Sequence, residues 1–249
     1  MADQKIIEET IFSHALNETL DLIICLPKNY TPLYKYPFCI VQDGKDYLRF
    51  GKLLHLANEL TDQDKIHKVI FVLLPYKDVQ DRRRKYHPDG EQNDAYIHFL
   101  AYELLPYLED RYSSFYLPTS RFLMGDSLGG STSLKAALKY PHTFGNVILH
   151  SPFINDDLLT LFKGIEPARL KLFHIIGSEE TEVQTTDGQI ANFLDANLLL
   201  HKTMIQKNVL HRYYLFAGDH RWKYWQNYIK DSLIYMFPPQ LFDLDNAKF

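Results

Sequence analysis

The 249-residue sequence predicts an α/β protein with a mostly parallel central sheet, an antiparallel N-terminal edge and helices on both faces. Three observations lead there. Short apolar runs recur along the chain, of the length a strand buried on both faces needs. Segments with helical apolar spacing separate these runs, and strands alternating with helices build a parallel sheet. Near the start the period is two instead, the mark of a half-buried strand.

From Thr19 onward Leu20, Leu22, Ile24 and Leu26 share one face, with Asp21 between them, until Pro27 ends the strand. Residues 6–12 read as its hairpin partner across a turn near Leu16-Asn17. The run 38–41 stops at Gln42-Asp43-Gly44. A helix carrying Leu53, Leu54, Leu56, Ala57 and Leu60 follows, and then a buried run at 69–74 closed by Pro75. Residues 76–93 are polar and contain Pro88-Asp89-Gly90, so a long irregular loop over the sheet end is expected. A helix over 93–111 follows, with a kink at Pro106. Beyond it the pattern predicts a strand at 122–124, a helix at 128–138, and strands at 147–149 and 172–176. A helix at 190–205, a strand at 213–216 and a last helix at 222–236 complete the series.

The length suits one domain spanning residues 1–249. Hydrophobic residues make up 46% and charged residues 23%, a globular composition that argues against extensive disorder. Aromatic residues reach 14%, which fits a well-filled core or an aromatic-lined pocket. A net charge of −4 creates no field that would recruit nucleic acid or an anionic membrane, and neither is an expected partner. Cys25 and Cys39 lie in apolar runs read as neighbouring strands, so both are expected to be buried thiols in a reducing compartment. The N-terminus lacks a charged-then-apolar signal pattern, and no apolar run reaches the roughly 20 residues of a membrane span. A cytoplasmic location is the expectation.

The most informative residues are Gly125-Asp126-Ser127-Leu128-Gly129-Gly130, placed between a predicted strand and a predicted helix. In that context G-x-S-x-G describes a nucleophile elbow, a tight strained turn that exposes the serine hydroxyl. The alternative is a glycine-rich turn whose serine only caps the helix. In an elbow, the Leu128 backbone N–H sits at a helix N-terminus, where the macrodipole favours a developing oxyanion.

Serine is a poor nucleophile without a base in reach and a third group to orient that base. In the α/β-hydrolase fold, which the elbow indicates, the order along the chain is serine, acid, histidine. Of eleven histidines, His220 stands out: Ala217-Gly218-Asp219-His220 follows a strand and precedes the final helix, where a sheet-end loop reaches the elbow. The acid is expected after the strand at 172–176. There Gly177-Ser178-Glu179-Glu180-Thr181-Glu182 offers Glu179, Glu180 and Glu182, with Asp187 as a fourth option. The residues alone leave that choice open.

The chain resembles the putative esterase family, which includes enterochelin esterase-like and feruloyl esterase-like hydrolases. The resemblance covers nearly the whole chain. Its motifs are Phe99-Leu100-Ala101-Tyr102-Glu103-Leu104-Leu105-Pro106, the elbow with its double glycine, Tyr140-Pro141-His142-Thr143-Phe144-Gly145, and Gly218-Asp219-His220-Arg221-Trp222 with Tyr224-Trp225. It implies an acid three residues past the glycine that ends the strand, which falls on Glu180. It also implies a second oxyanion donor in the turn Asp43-Gly44-Lys45, the backbone N–H of Lys45, with Gly44 supplying backbone freedom. No counterpart of the extra N-terminal domain of the larger enterochelin esterases is expected, so the resemblance allows a siderophore substrate without implying one.

The expected activity is that of a serine carboxylic ester hydrolase using Ser127, His220 and Glu180, with Leu128 and Lys45 amides holding the oxyanion. An acyltransferase with the same residues, or a non-catalytic binding protein on the same fold, are the other classes the sequence allows. No metal or organic cofactor is expected, since neither a zinc motif nor a phosphate loop occurs in a suitable context. The expected partner is a small-molecule ester, and a homo-oligomer is left open. The basic stretch Asp81-Arg82-Arg83-Arg84-Lys85-Tyr86-His87-Pro88 belongs at the same sheet end as the elbow. There it either shapes a pocket suited to an acidic or hydroxyl-rich acyl group or is simply solvated. Trp222 and Trp225 either wall the site or pack the last helix.

Overall fold

The computed structural model describes residues 4–164, 170–186 and 188–240. In chain order the elements are β1 (Ile6–Ser13), β2 (Glu18–Cys25), β3 (Phe38–Gln42), α1 (Gly44–Arg49), α2 (Leu53–Asp62), β4 (Ile70–Leu74) and α3 (Val79–Tyr86). Then come α4 (Asn93–Phe99), a π turn (Leu100–Leu104), α5 (Leu105–Arg111), a short 3-10 turn (Pro118–Ser120), β5 (Arg121–Asp126), α6 (Ser127–Lys139) and β6 (Asn146–His150). The chain continues through α7 (Asp156–Gly164), β7 (Lys171–Gly177), β8 (Val183–Gln184), β9 (Ile190–Ala191), α8 (Phe193–Gln206), β10 (Leu210–Phe216) and α9 (Trp222–Met236).

Eight strands form one sheet in the order β1-β2-β4-β3-β5-β6-β7-β10. β2 pairs antiparallel with both β1 and β4, and every other pairing is parallel. This is the α/β-hydrolase arrangement, with the antiparallel edge built from the opening hairpin. The apolar runs are continuous because successive residues of one strand fill opposite layers. Ile40, Ile70, Val72 and Leu123 face a layer shared with Leu104, Leu108 and Leu134, whereas Cys39, Val41, Phe71, Phe122 and Met124 face Leu53, Leu60, Ile229 and Leu233. β1, at the edge, alternates exposed residues with half-buried or buried ones instead.

Four expectations change. Residues 76–93 are not an irregular loop throughout, because α3 occupies 79–86. The Asp78 carboxylate accepts a hydrogen bond from the Asp81 N–H at 2.8 Å and caps the helix, while Arg83, Arg84 and Lys85 complement the negative end of its dipole. Its buried positions are Asp81, Lys85 and Tyr86, so no apolar stripe betrays it in the sequence. The break expected at Pro106 takes the form of the π turn: the Leu105 N–H bonds to Leu100 O, which absorbs one extra residue ahead of a proline that has no N–H to give. The helix predicted from Ile190 starts at Phe193, because Asn192 caps it by accepting from Asp195 N–H at 2.9 Å and Ile190–Ala191 pairs with Val183–Gln184. Finally, β4 lies between the strands of Cys25 and Cys39, so these are not neighbours. Both are free, buried thiols, and burial pushes Cys25 up to about 12.

Candidate active site

At the carboxyl end of β5 the chain turns from extended Asp126 into α6 through Ser127, which has φ 50°. A left-handed conformation at a non-glycine residue is strained, and here the surroundings enforce it. A Cβ on Gly125 would stand 2.3 Å from the Gly129 carbonyl, and one on Gly129 would stand 2.8 Å from Asp43 Oδ2. Only bare backbone lets strand, turn and helix close this tightly. Ser127 is therefore presented at the sheet end, half-buried, on the floor of a cavity of about 280 Å³.

His220 reaches the same point from the turn after β10. Its Nε2 lies 2.9 Å from Ser127 Oγ, and its Nδ1 lies 2.6 Å from Glu180 Oε2. A carboxylate only accepts, so Nδ1 carries the proton, and the Nε2 lone pair faces the serine hydroxyl. The loops that deliver histidine and carboxylate are tied together: Ser178 N–H bonds Phe216 O at 2.8 Å, and Glu179 N–H bonds Gly218 O at 3.0 Å.

The structure distinguishes among the acidic candidates. Glu180 is fully buried and touches His220, whereas Glu179 and Glu182 are exposed. Asp187 lies outside the described residues. The buried Glu180 carboxylate, paired with no lysine or arginine among the described residues, is held by hydrogen bonds. Besides the imidazole, Oε1 accepts from Gly177 N–H at 2.8 Å and from Ser151 Oγ at 2.6 Å. Trp225 Nε1 in turn donates to Ser151 Oγ at 2.9 Å, which commits the serine proton to Glu180. The Trp225 ring also meets His220 edge-on at 4.8 Å between centroids, and Phe193 closes on the imidazole at 4.4 Å. Trp222 packs edge-on against Tyr47. Sequence reasoning missed Ser151, because an isolated serine after a strand carries no signal.

Leu128 is the second residue of α6 and lines the cavity. Lys45 is the second residue of α1; its exposed side chain lines a separate depression beside Glu8 and Asp21. Both amides occupy the first turn of a helix, where N–H groups have no intrahelical acceptor. The basic stretch is part of the site: Arg82, Arg83 and His87 line the cavity together with Phe153 and Phe193. Arg82 is paired bidentately with Asp43, Nε to Oδ1 at 2.8 Å and Nη2 to Oδ2 at 2.5 Å. Burial, with the Asp43 charge second, pushes the Asp126 carboxyl well above the usual range. Beneath the site, His150 is held neutral by burial, pushed down to about 3, and its Nδ1 lies 2.8 Å from the Tyr47 hydroxyl. Among the described residues, no group of three or more His, Cys, Asp or Glu side chains could hold a metal ion.

Comparison with known proteins identifies the family. The sequence profile described as "Putative esterase" matches residues 13–236. The chain belongs to the Putative esterase family. Its enzyme class is accordingly that of a serine esterase. A relative of similar length, Uncharacterized protein YjcH of Bacillus subtilis (strain 168), is 42% identical over 227 residues, covering 91% of this chain and 95% of its own. A ferulic acid esterase superposes with a TM-score of 0.76 at 18% identity, over 97% of this chain and all of its own. Enterochelin esterase from Shigella flexneri superposes with a TM-score of 0.79 at 18% identity, over 96% of this chain. The family fold is thus shared, while the chain spans about 60% of that enterochelin esterase's length. No helix among the described residues is long and apolar enough to cross a membrane.

Proposed function

We propose that this esterase hydrolyses small carboxylic esters, in the manner of enterochelin esterase-like enzymes, through Ser127, His220 and Glu180. The observation that carries the reading is the unbroken chain of contacts from Ser127 Oγ to His220 Nε2 at 2.9 Å and from His220 Nδ1 to Glu180 Oε2 at 2.6 Å. Serine attack requires a base with a free lone pair and a fixed tautomer, and this arrangement supplies both.

Ser127 Oγ attacks the ester carbonyl carbon as its proton passes to His220 Nε2. The imidazolium formed is stabilised by the buried Glu180 carboxylate. Collapse of the tetrahedral intermediate breaks the ester C–O bond, and the proton on Nε2 leaves with the alcohol. Water then gives a proton to the same nitrogen as it attacks the acyl-enzyme carbonyl; the C–Oγ bond breaks, the proton on Nε2 passes to Ser127 Oγ, and the carboxylic acid leaves. The N–H groups of Leu128 and Lys45 hold the oxyanion, each donor contributing about 3 kcal/mol at the transition state. Neither metal nor organic cofactor enters these steps. The expected partner is a small-molecule ester, in the cytoplasm, with a homo-oligomer left open.

Hydrolysis of p-nitrophenyl acetate and butyrate by the wild type and by Ser127→Ala and His220→Ala proteins tests the reading. Activity that disappears in both variants, with their circular dichroism unchanged, supports it. Activity that persists in Ser127→Ala rules it out.

A further inference from the structure

We infer that Arg82 is a positioning residue that holds the two backbone segments of the oxyanion site in register. The inference rests on the reading of Ser127 as nucleophile and goes beyond it. In that reading the donors come from two separate strand ends, the turn after β3 and the start of α6, so something must fix one against the other. A misplacement of about 1 Å at such a site costs roughly a hundredfold in rate.

Arg82 touches both segments. Its Nε and Nη2 grip the two oxygens of Asp43, the residue joining β3 to α1, and Nη2 also lies 3.5 Å from the carbonyl of Asp126, the residue before the nucleophile. Asp43 is itself in the left-handed region, with φ 55°, and its carbonyl accepts the Asp46 N–H at 2.8 Å to start the helix that carries Lys45. Its carboxylate abuts Gly129 in the elbow helix. The pair is withdrawn from solvent, the Arg82 side chain being 12% and that of Asp43 1% exposed. Tyr76 and Tyr86 lie under the guanidinium at 5.8 and 5.7 Å. A flexible ammonium cannot reproduce such a planar two-point grip.

Arg82 reaches this position because α3 is a helix. Asp78 caps it, Lys85 pairs with Asp81 within the helix at 2.7 Å, and Lys85 ties the far end to Glu18 of β2 at 2.5 Å. The guanidinium faces backbone groups on the oxyanion side of Ser127, whereas His220 and Glu180 come from the opposite side of the sheet order, from β10 and β7. Loss of Arg82 should therefore weaken transition-state binding and leave the imidazole untouched.

The experiment uses p-nitrophenyl acetate with wild type, Arg82→Lys, and the double variant Asp43→Asn/Arg82→Met, which removes both charges together so that neither is left buried and unpaired. Thermal unfolding of each reports the fold. With wild-type activity established as dependent on Ser127, Arg82→Lys is expected to lower kcat by roughly 10- to 100-fold with KM within about twofold. The double variant is expected to fall at least as far. The acid limb of the kcat/KM profile against pH should stay where the wild type has it. A folded Arg82→Lys protein with wild-type kcat overturns the inference. So does a rise in KM at unchanged kcat, which would make Arg82 a substrate-binding group, or a displaced acid limb, which would place its effect on His220. A wild type that hydrolyses no ester would instead count against the serine esterase reading itself.

Discussion

Ser151 Oγ donates to Glu180 Oε1 at 2.6 Å while accepting from Trp225 Nε1 at 2.9 Å, so the carboxylate that faces His220 is oriented from behind by a residue of another strand end. Ser151 is fully buried with φ 46°, a conformation whose cost must be met by its surroundings. Replacing Ser151 with alanine leaves Oε1 with the Gly177 N–H alone and strands the Trp225 donor. Hydrogen bonds to charged groups contribute about 1.5–3 kcal/mol. The variant is expected to lose stability of that order in urea unfolding and roughly tenfold in kcat/KM. Wild-type values for both would mean Glu180 needs no such support.

The acids can be separated by substitution. Glu180→Gln keeps the shape but cannot enforce the Nδ1–H tautomer, and kcat is expected to fall by on the order of 10³–10⁴. Glu179→Gln and Glu182→Gln, at exposed positions, should remain within about twofold of wild type. Steady-state kinetics on the three proteins checks this, and a comparable loss in Glu179→Gln would redirect the assignment.

Much of this site was legible in the sequence, and what was not has physical reasons. The elbow announces itself because only glycines fit where Gly125 and Gly129 sit. His220 could be found because a glycine turn after a strand limits where a base can come from. The acid could not be chosen from residue type, since Glu179, Glu180 and Glu182 differ in burial and not in chemistry. α3 stayed hidden because two of its three buried residues, Asp81 and Lys85, are charged and paired with each other, which leaves Tyr86 alone as an apolar signal. The capping of α8 by Asn192 was readable in principle, but the apolar Ile190 drew the boundary too early.

Stability should fall with acid. His150 and His174 are buried and neutral, each pushed by burial down to about 3 from 6.5. A histidine with a depressed folded pKa contributes fully above about 6.5 and loses that contribution as pH falls toward 3, because the unfolded chain takes up the proton first. Each can cost up to about 1.4 kcal/mol per pH unit in that window. Urea unfolding at pH 7 and pH 5 is expected to show a smaller drop for His174→Gln than for wild type. Equal drops would mean that His174 protonates in place.

The elbow geometry makes its own prediction. A methyl group at Gly125 would collide with the Gly129 backbone at 2.3 Å, so Gly125→Ala is expected to cost about 1–3 kcal/mol and to displace Ser127. Thermal unfolding and ester turnover should fall together. A variant that keeps both would mean that the turn relaxes freely.

The most direct test of the central claim is covalent labelling with a fluorophosphonate, with the modified peptide mapped by mass spectrometry. The account predicts a single adduct on Ser127, absent from Ser127→Ala and slow to form in His220→Ala. A folded wild-type protein that leaves Ser127 unlabelled would contradict the assignment of an activated nucleophile to this elbow.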